Sequence, residues 1–120
     1  MRAQSPKGTR DFDFTELSRR NYVIDRIKAA FEIFSYRPLE TPSFENIETL
    51  MGKYGDEGDR LIFKILRSGD FLRRARDKSN PIVKEIADKA LRYDLTVPFS
   101  RYVSQNNGKL TFPFKRYQIQ

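Results

Sequence analysis

A single stripe of apolar residues limits what this chain can become. Leu17 opens it, and Ile24, Ile27, Phe31 and Phe34 continue it one heptad later at spacings of three, four and three, flanked by Val23 and Ala30. That period puts them on one face of a helix. Arg19, Arg20, Asp25, Arg26, Lys28 and Glu32 fall largely off the face. The spacing predicts a helix over about 15–36, with Thr15 as N-cap and Pro38 stopping it just beyond its end. Ahead of it, Pro6, Gly8 and alternating charges read as an extended or turn-rich arm.

The segments after Pro38 are short. Residues 38–44 read as a strand broken at Pro42, which belongs at a sheet edge or exit. Asn46 is placed to cap a short helix through Lys53. Gly52, Gly55 and Gly58, with Asp56, Glu57 and Asp59, read as a loop. Residues 61–66 (LIFKIL) form an apolar strand candidate, followed by the turn signal Ser68-Gly69-Asp70. Residues 71–89 are charged and read as an insertion, with Pro81 opening a helix that runs to about Lys89. Residues 90–93 read as a strand. Thr96 then caps a further helix with Pro98 in its first turn and Phe99 and Val103 paired on it. Residues 112–120 read as a last strand, kinked beside Pro113. One long helix packed on a partial antiparallel sheet is an α+β fold.

Composition bounds the chemistry. The 120 residues are 38% hydrophobic and 32% charged, against a usual charged share of about 25%. Ten Phe and six Tyr supply much of the burial. This suits one modest core rather than two domains. Cysteine and histidine are absent, which excludes disulfides, thiolate or imidazole metal sites, and Ser-His or Cys-His nucleophiles. No apolar run approaches the roughly 18 residues of a membrane span. The opening MRAQSPKGTR has no apolar stretch of a signal peptide, so a cytoplasmic location is the default. Neither GxxxxGK[ST] nor GxGxxG between a strand and a helix occurs, and Gly52, Gly55 and Gly58 follow no strand.

Charge is unevenly placed. Residues 1–60 hold 10 Lys+Arg and 11 Asp+Glu, whereas residues 61–120 hold 13 and 5. The densest basic stretch contains Arg73, Arg74, Arg76 and Lys78. Such a cluster attracts polyanions, and it equally makes a solvated surface.

The richest local constellation runs from Arg92 through Tyr93, Asp94, Leu95, Thr96, Val97 and Pro98 to Phe99. It places Asp94 at a strand end and Thr96 at a helix start. A carboxylate there can accept hydrogen bonds from a ligand ammonium, with the Thr hydroxyl as a second acceptor. Alternatively, both residues simply satisfy the helix N-terminus and its dipole.

Five blocks, in order, resemble the histidyl-tRNA synthetases. They are Pro6-Lys7-Gly8-Thr9-Arg10-Asp11-Phe12, Glu40-Thr41-Pro42-Ser43-Phe44-Glu45, Thr49-Leu50-Met51-Gly52-Lys53-Tyr54-Gly55 with Glu57-Gly58-Asp59, residues 91–103, and Phe114-Lys115-Arg116-Tyr117-Gln118-Ile119. From first to last they cover nearly the whole chain, apart from about residues 71–89. The resemblance implies an N-terminal part of a class II catalytic domain over 1–120, from motif 1 through the first strand of motif 2, with a basic insertion at about 71–89. It implies an enzyme that activates histidine with ATP and Mg²⁺ and transfers it to tRNA(His). Asp94 then binds the histidine ammonium, Thr96 assists, and Leu95 lies between them. Pro42 matches the motif 1 proline of a homodimer interface. Arg73, Arg74 and Arg76 are candidate tRNA contacts. No catalytic residue and no metal ligand falls within these residues, since the phosphate-gripping arginines of the family lie past residue 120. The chain stops inside an apparent strand, so a fragment of a longer enzyme is expected, inactive alone. The regulatory subunit of ATP phosphoribosyltransferase, a silent paralogue, is the alternative, although blocks 49–59 and 91–103 look more like the synthetase.

Overall fold

Asp13 starts the first helix, α1 (Phe14–Ile33), by accepting the Glu16 amide on its carboxylate at 2.8 Å. A side chain one residue outside the helix reaches an otherwise orphaned amide three residues on. The cap is therefore Asp13, and Thr15 lies inside the first turn. In the computed structural model, which describes residues 3–53, 55–73 and 83–120, α1 belongs to a unit made of residues 3–40 and 112–120. Ahead of α1, the Thr9 amide donates to the Pro6 carbonyl at 3.0 Å and Gly8 has φ +83°. This is a type II turn with glycine at the position that demands positive φ.

The helix ends well before Pro38. Ser35 adopts φ +62°, its amide donates to Glu32 O at 2.9 Å, and the Tyr36 amide donates to Phe31 O at 3.0 Å. These two bonds make a Schellman motif, completed by the ring contact of Phe31 with Tyr36 at 5.5 Å. Pro38 instead lies in β1 (Arg37–Pro38), which pairs parallel with β5 (Arg116–Tyr117). The amides of Arg37 and Leu39 donate to the carbonyls of Lys115 and Tyr117 at 3.1 and 3.0 Å. The intervening Pro38 nitrogen points away from the ladder, so its missing N–H costs no bond. The strand expected over 112–120 shrinks to two residues here. At its last turn α1 meets the strands: Phe31 stacks on Tyr117 at 5.4 Å, and the Tyr117 hydroxyl donates to Glu32 at 2.8 Å. No residue of α1 is buried, and Leu17, Ile27 and Phe34 stay exposed.

Residues 41–111 form the second unit. Its sheet has three antiparallel strands, β2 (Phe44–Asn46), β3 (Lys64–Leu66) and β4 (Ala87–Leu91), in the order β2-β4-β3. Helices α2 (Ile47–Leu50), α3 (Gly55–Leu61), α4 (Val83–Ile86) and α5 (Thr96–Asn106) connect and flank it. A 3₁₀ turn, Asn107–Lys109, follows α5. The core is Ile47, Leu50, Ile62, Ala87 and Ala90, with Met51 and Val97 packed against it.

Several segments here differ from expectation: residues 39–43 carry no strand, and α2 ends at Leu50 rather than Lys53, with no side-chain hydrogen bond from Asn46 to cap it. The glycine-rich loop forms α3, held by the Asp59 carboxylate accepting the Gly52 amide at 2.9 Å and by Lys64 Nζ donating to Asp59 O at 3.0 Å. The ammonium satisfies a carbonyl near the negative end of the helix. The helix expected to reach Lys89 stops at Ile86, and Ala87 through Lys89 begin the central strand. Lys89 and Ala90 pair on both sides and Ala87 pairs with Leu66 of β3, which outweighs the local helix preference of an Ala-Asp-Lys-Ala sequence. A bulge in the β3–β4 register at Ile65/Leu66 leaves Asp88 as the extra residue, so Ala87 and Ala90 both turn inward despite their odd spacing. Asp88 turns to Arg67 at 3.2 Å. Among the described residues no helix is long and apolar enough to cross a membrane.

Candidate functional site

The site forms where the central strand β4 ends and α5 begins. The Arg92 amide donates to Ser43 O at 3.1 Å, extending the ladder beyond the Phe44–Leu91 pair. The Arg92 guanidinium reaches back over the same strand end, donating from Nη1 to Thr41 O at 3.1 Å and to Pro42 O at 3.4 Å. The chain then leaves the sheet through exposed Tyr93 and Asp94 and turns into α5.

Asp94 makes that turn. Its Oδ1 accepts the Thr96 amide at 2.8 Å, an Asx turn that satisfies one of the helix's orphan donors. The Leu95 carbonyl accepts the Phe99 amide at 3.2 Å and begins the helical ladder. Thr96 is thus the first residue of α5 and not its side-chain cap; the carboxylate two residues earlier does that work. Asp94 and Thr96 are exposed and Leu95 is half-buried. An ionised carboxylate has two oxygens and about four lone-pair sites. The turn hydrogen bond and a ligand contact therefore do not exclude one another.

A second polar group lies beneath this corner. Glu45, on the middle residue of β2 and opposite Ala90, turns inward and is only 6% exposed. Arg101 of α5 answers it: Nε donates to both carboxylate oxygens, at 2.9 and 2.7 Å. Arg101 Nη1 also donates to Gln105 Oε1 at 2.7 Å. Neither Glu45 nor Arg101 carries a role in the sequence reading. Their signal is positional: Arg101 stands three residues after buried Pro98, on the same face of α5.

The structure brings Asp94, Leu95 and Thr96 together at one corner, as their adjacency dictates. Pro42 is exposed just ahead of β2, with its carbonyl facing Arg92. Arg73 is exposed, and its amide donates to Asp70 O at 3.2 Å; Arg74 and Arg76 lie outside the described residues. Among the described residues no group of three or more acidic side chains stands close enough to hold a metal ion.

No protein-family model matches the chain. Curated relatives do. A histidine–tRNA ligase of Christiangramia forsetii is 60% identical over 96% of this chain and 26% of its own length. One of Flavobacterium johnsoniae is 52% identical over 96% of this chain and 29% of its own. The chain thus spans about a quarter of the length of the ligases it matches. Among solved structures, the histidyl-tRNA synthetase from Nostoc superposes with a TM-score of 0.70 at 29% identity, covering 98% of this chain and 24% of that one. A structure titled as an ATP phosphoribosyltransferase regulatory subunit/histidyl-tRNA synthetase, from Bacillus halodurans, gives 0.66 at 18% identity, over 96% of this chain and 26% of its own. That second likeness is one of fold alone. The fold is the mixed helix and strand arrangement of class II synthetases.

Proposed function

We propose that this chain is the N-terminal part of the catalytic domain of a histidine–tRNA ligase, running from motif 1 through the first strand of motif 2. One observation carries the reading: relatives named histidine–tRNA ligase match 96% of the chain at 47–60% identity, a span that includes the Asp94–Thr96 corner. The complete enzyme joins histidine to ATP, forming histidyl-adenylate and pyrophosphate, and then passes the histidyl group to tRNA(His). In the first step the histidine carboxylate attacks the α-phosphorus while the bond to pyrophosphate breaks. That chemistry rests on positioning and charge neutralisation, and it needs no histidine or cysteine side chain.

The part of this segment is to hold the amino acid. Asp94 receives the ammonium of histidine, offsetting the cost of removing that charge from water. The Thr96 hydroxyl is a second acceptor, and Leu95 packs between them. Magnesium is usually held by one or two carboxylates together with substrate phosphates, and since the family's phosphate-gripping arginines are placed past residue 120, ATP and Mg²⁺ are assigned to other parts of the ligase. Pro42 lies at the contact of a homodimer, the basic stretch containing Arg73, Arg74 and Arg76 faces tRNA, although the insertion expected to run to residue 89 ends before α4 and the central strand β4, and the enzyme works in the cytoplasm.

The test is histidine-dependent exchange between ATP and pyrophosphate by the full-length protein that carries this segment. Exchange that needs histidine supports the ligase. Absence of exchange, together with activation of an ATP phosphoribosyltransferase, would instead identify the silent regulatory paralogue.

A further inference from the structure

We propose that the Glu45–Arg101 ion pair positions the ammonium-binding corner, acting on Asp94 through the start of α5. This rests on the reading of Asp94 as the ligand of the histidine ammonium. Arg101 lies five residues into α5, and Glu45 lies on β2, the strand beside β4. The pair therefore ties the helix that starts at the corner to the sheet from which the corner emerges. Both oxygens of Glu45 accept from one nitrogen, and Gln105 holds the guanidinium from the other side. This fixes both the rotation of α5 and its height over the sheet.

Apolar contacts do not have that property, because packing is non-directional. Well-packed apolar residues at these positions would stabilise the unit as well or better, since a buried carboxylate carries a desolvation cost. Direction is what the ion pair adds. The corner is held from its other end as well: Arg92, two residues ahead of Asp94, grips the Thr41 and Pro42 carbonyls. Residues 93–95 are suspended between these anchors, and the Asp94 carboxylate is fixed to the first amide of the helix that Arg101 steers. A displacement of α5 moves that amide, and the carboxylate moves with it.

The experiment uses the full-length ligase carrying this segment, with steady-state exchange kinetics for histidine and ATP beside thermal melts. Arg101→Met removes the charge and keeps the bulk. It is expected to raise the histidine KM about tenfold or more, because small misplacements of a binding group are costly. The ATP KM should stay within about twofold, as expected for loss of one substrate's contacts. Arg101→Lys, which can still pair with Glu45, should recover part of the histidine affinity; a purely structural role predicts recovery of melting temperature only. If Arg101→Met fails to fold, Glu45→Gln is read the same way. Asp94→Asn separates the two readings. A raised histidine KM in Asp94→Asn with an unchanged one in Arg101→Met or Glu45→Gln overturns the positioning role alone. An unchanged histidine KM in Asp94→Asn overturns the ammonium site, and the positioning role falls with it.

Discussion

Replacing Asp94 by asparagine separates the turn it makes in the structure from the ligand role proposed for it, because the two depend differently on charge. The turn needs an acceptor: Oδ1 takes the Thr96 amide at 2.8 Å, and the amide oxygen of asparagine serves as well. Asn and Asp are close to equal as helix-start acceptors, so the structural loss is confined to the interaction with the dipole of α5, about 0.3–1 kcal/mol. The ligand duty needs the negative charge. Losing one member of a hydrogen-bonded charge pair costs about 2–5 kcal/mol. Asp94 is exposed in this segment and solvent screens such pairs, so the expected loss lies near the lower end, about 2 kcal/mol, or roughly thirtyfold in the histidine KM. Asp94→Ala removes both duties and should add about 0.5–2 kcal/mol of destabilisation for the lost cap. The assay is the histidine and ATP KM by exchange in the full-length ligase, with a thermal melt of each variant. Asparagine should melt close to wild type and bind histidine poorly, while alanine should fail on both counts. If asparagine destabilises as much as alanine and leaves the histidine KM unmoved, Asp94 is only a structural cap.

The remaining predictions concern the rest of the chain. Ser35 sits at φ +62° in the Schellman motif of α1, a conformation that costs a non-glycine residue roughly 1–2 kcal/mol. Ser35→Gly should therefore stabilise the protein by about 0.5–1 kcal/mol after the unfolded-state entropy of glycine is subtracted, seen as a higher denaturant midpoint at unchanged slope; a lower midpoint would refute it. The Tyr117 hydroxyl is held above its usual range, chiefly by its hydrogen bond to Glu32, then by burial and the charge of Glu32. A raised folded-state value means that its stabilising contribution is complete below the tyrosine range, near pH 10, and fades as pH rises through the folded value. Tyr117→Phe should flatten the fall of melting temperature above about pH 10, and an unchanged alkaline slope would count against the Glu32 contact. Changing Arg73, Arg74 and Arg76 together to alanine in the full-length ligase should weaken tRNA binding and lower its salt slope by up to about three. Adenylate formation should persist, and unchanged tRNA binding would return these charges to an ordinary solvated surface.

Much of this architecture depends on near neighbours in the chain, and that part is legible from residue order. The helix over 14–33 follows from its period of 3.6. The turn at Pro6–Thr9 follows from a proline, a glycine and a threonine in the right places. The Asp94–Thr96 corner is three adjacent residues, so no distant contact is needed to assemble it. Even there the sequence mistook which oxygen caps the helix. Thr96 and Asp94 are both good acceptors near a helix start, and which one serves depends on a backbone difference of one or two residues.

Tertiary structure decided what depends on partners far along the chain. Nothing in Ala87 through Lys89 marks a central strand; β3 recruits Ala87 by pairing it with Leu66, and Lys89 is paired on both edges, with Asn46 and Ile65. The bulge at Asp88, which turns both alanines inward, exists only in the register with β3. The parallel pairing of Arg37–Pro38 with Arg116–Tyr117 joins segments near opposite ends of the chain. Glu45 and Arg101 stand 56 residues apart. Taken alone, each is a charge that belongs in water. A carboxylate can remain on the inner face of a sheet only when a fold delivers a cation to it, and local sequence carries no record of that delivery.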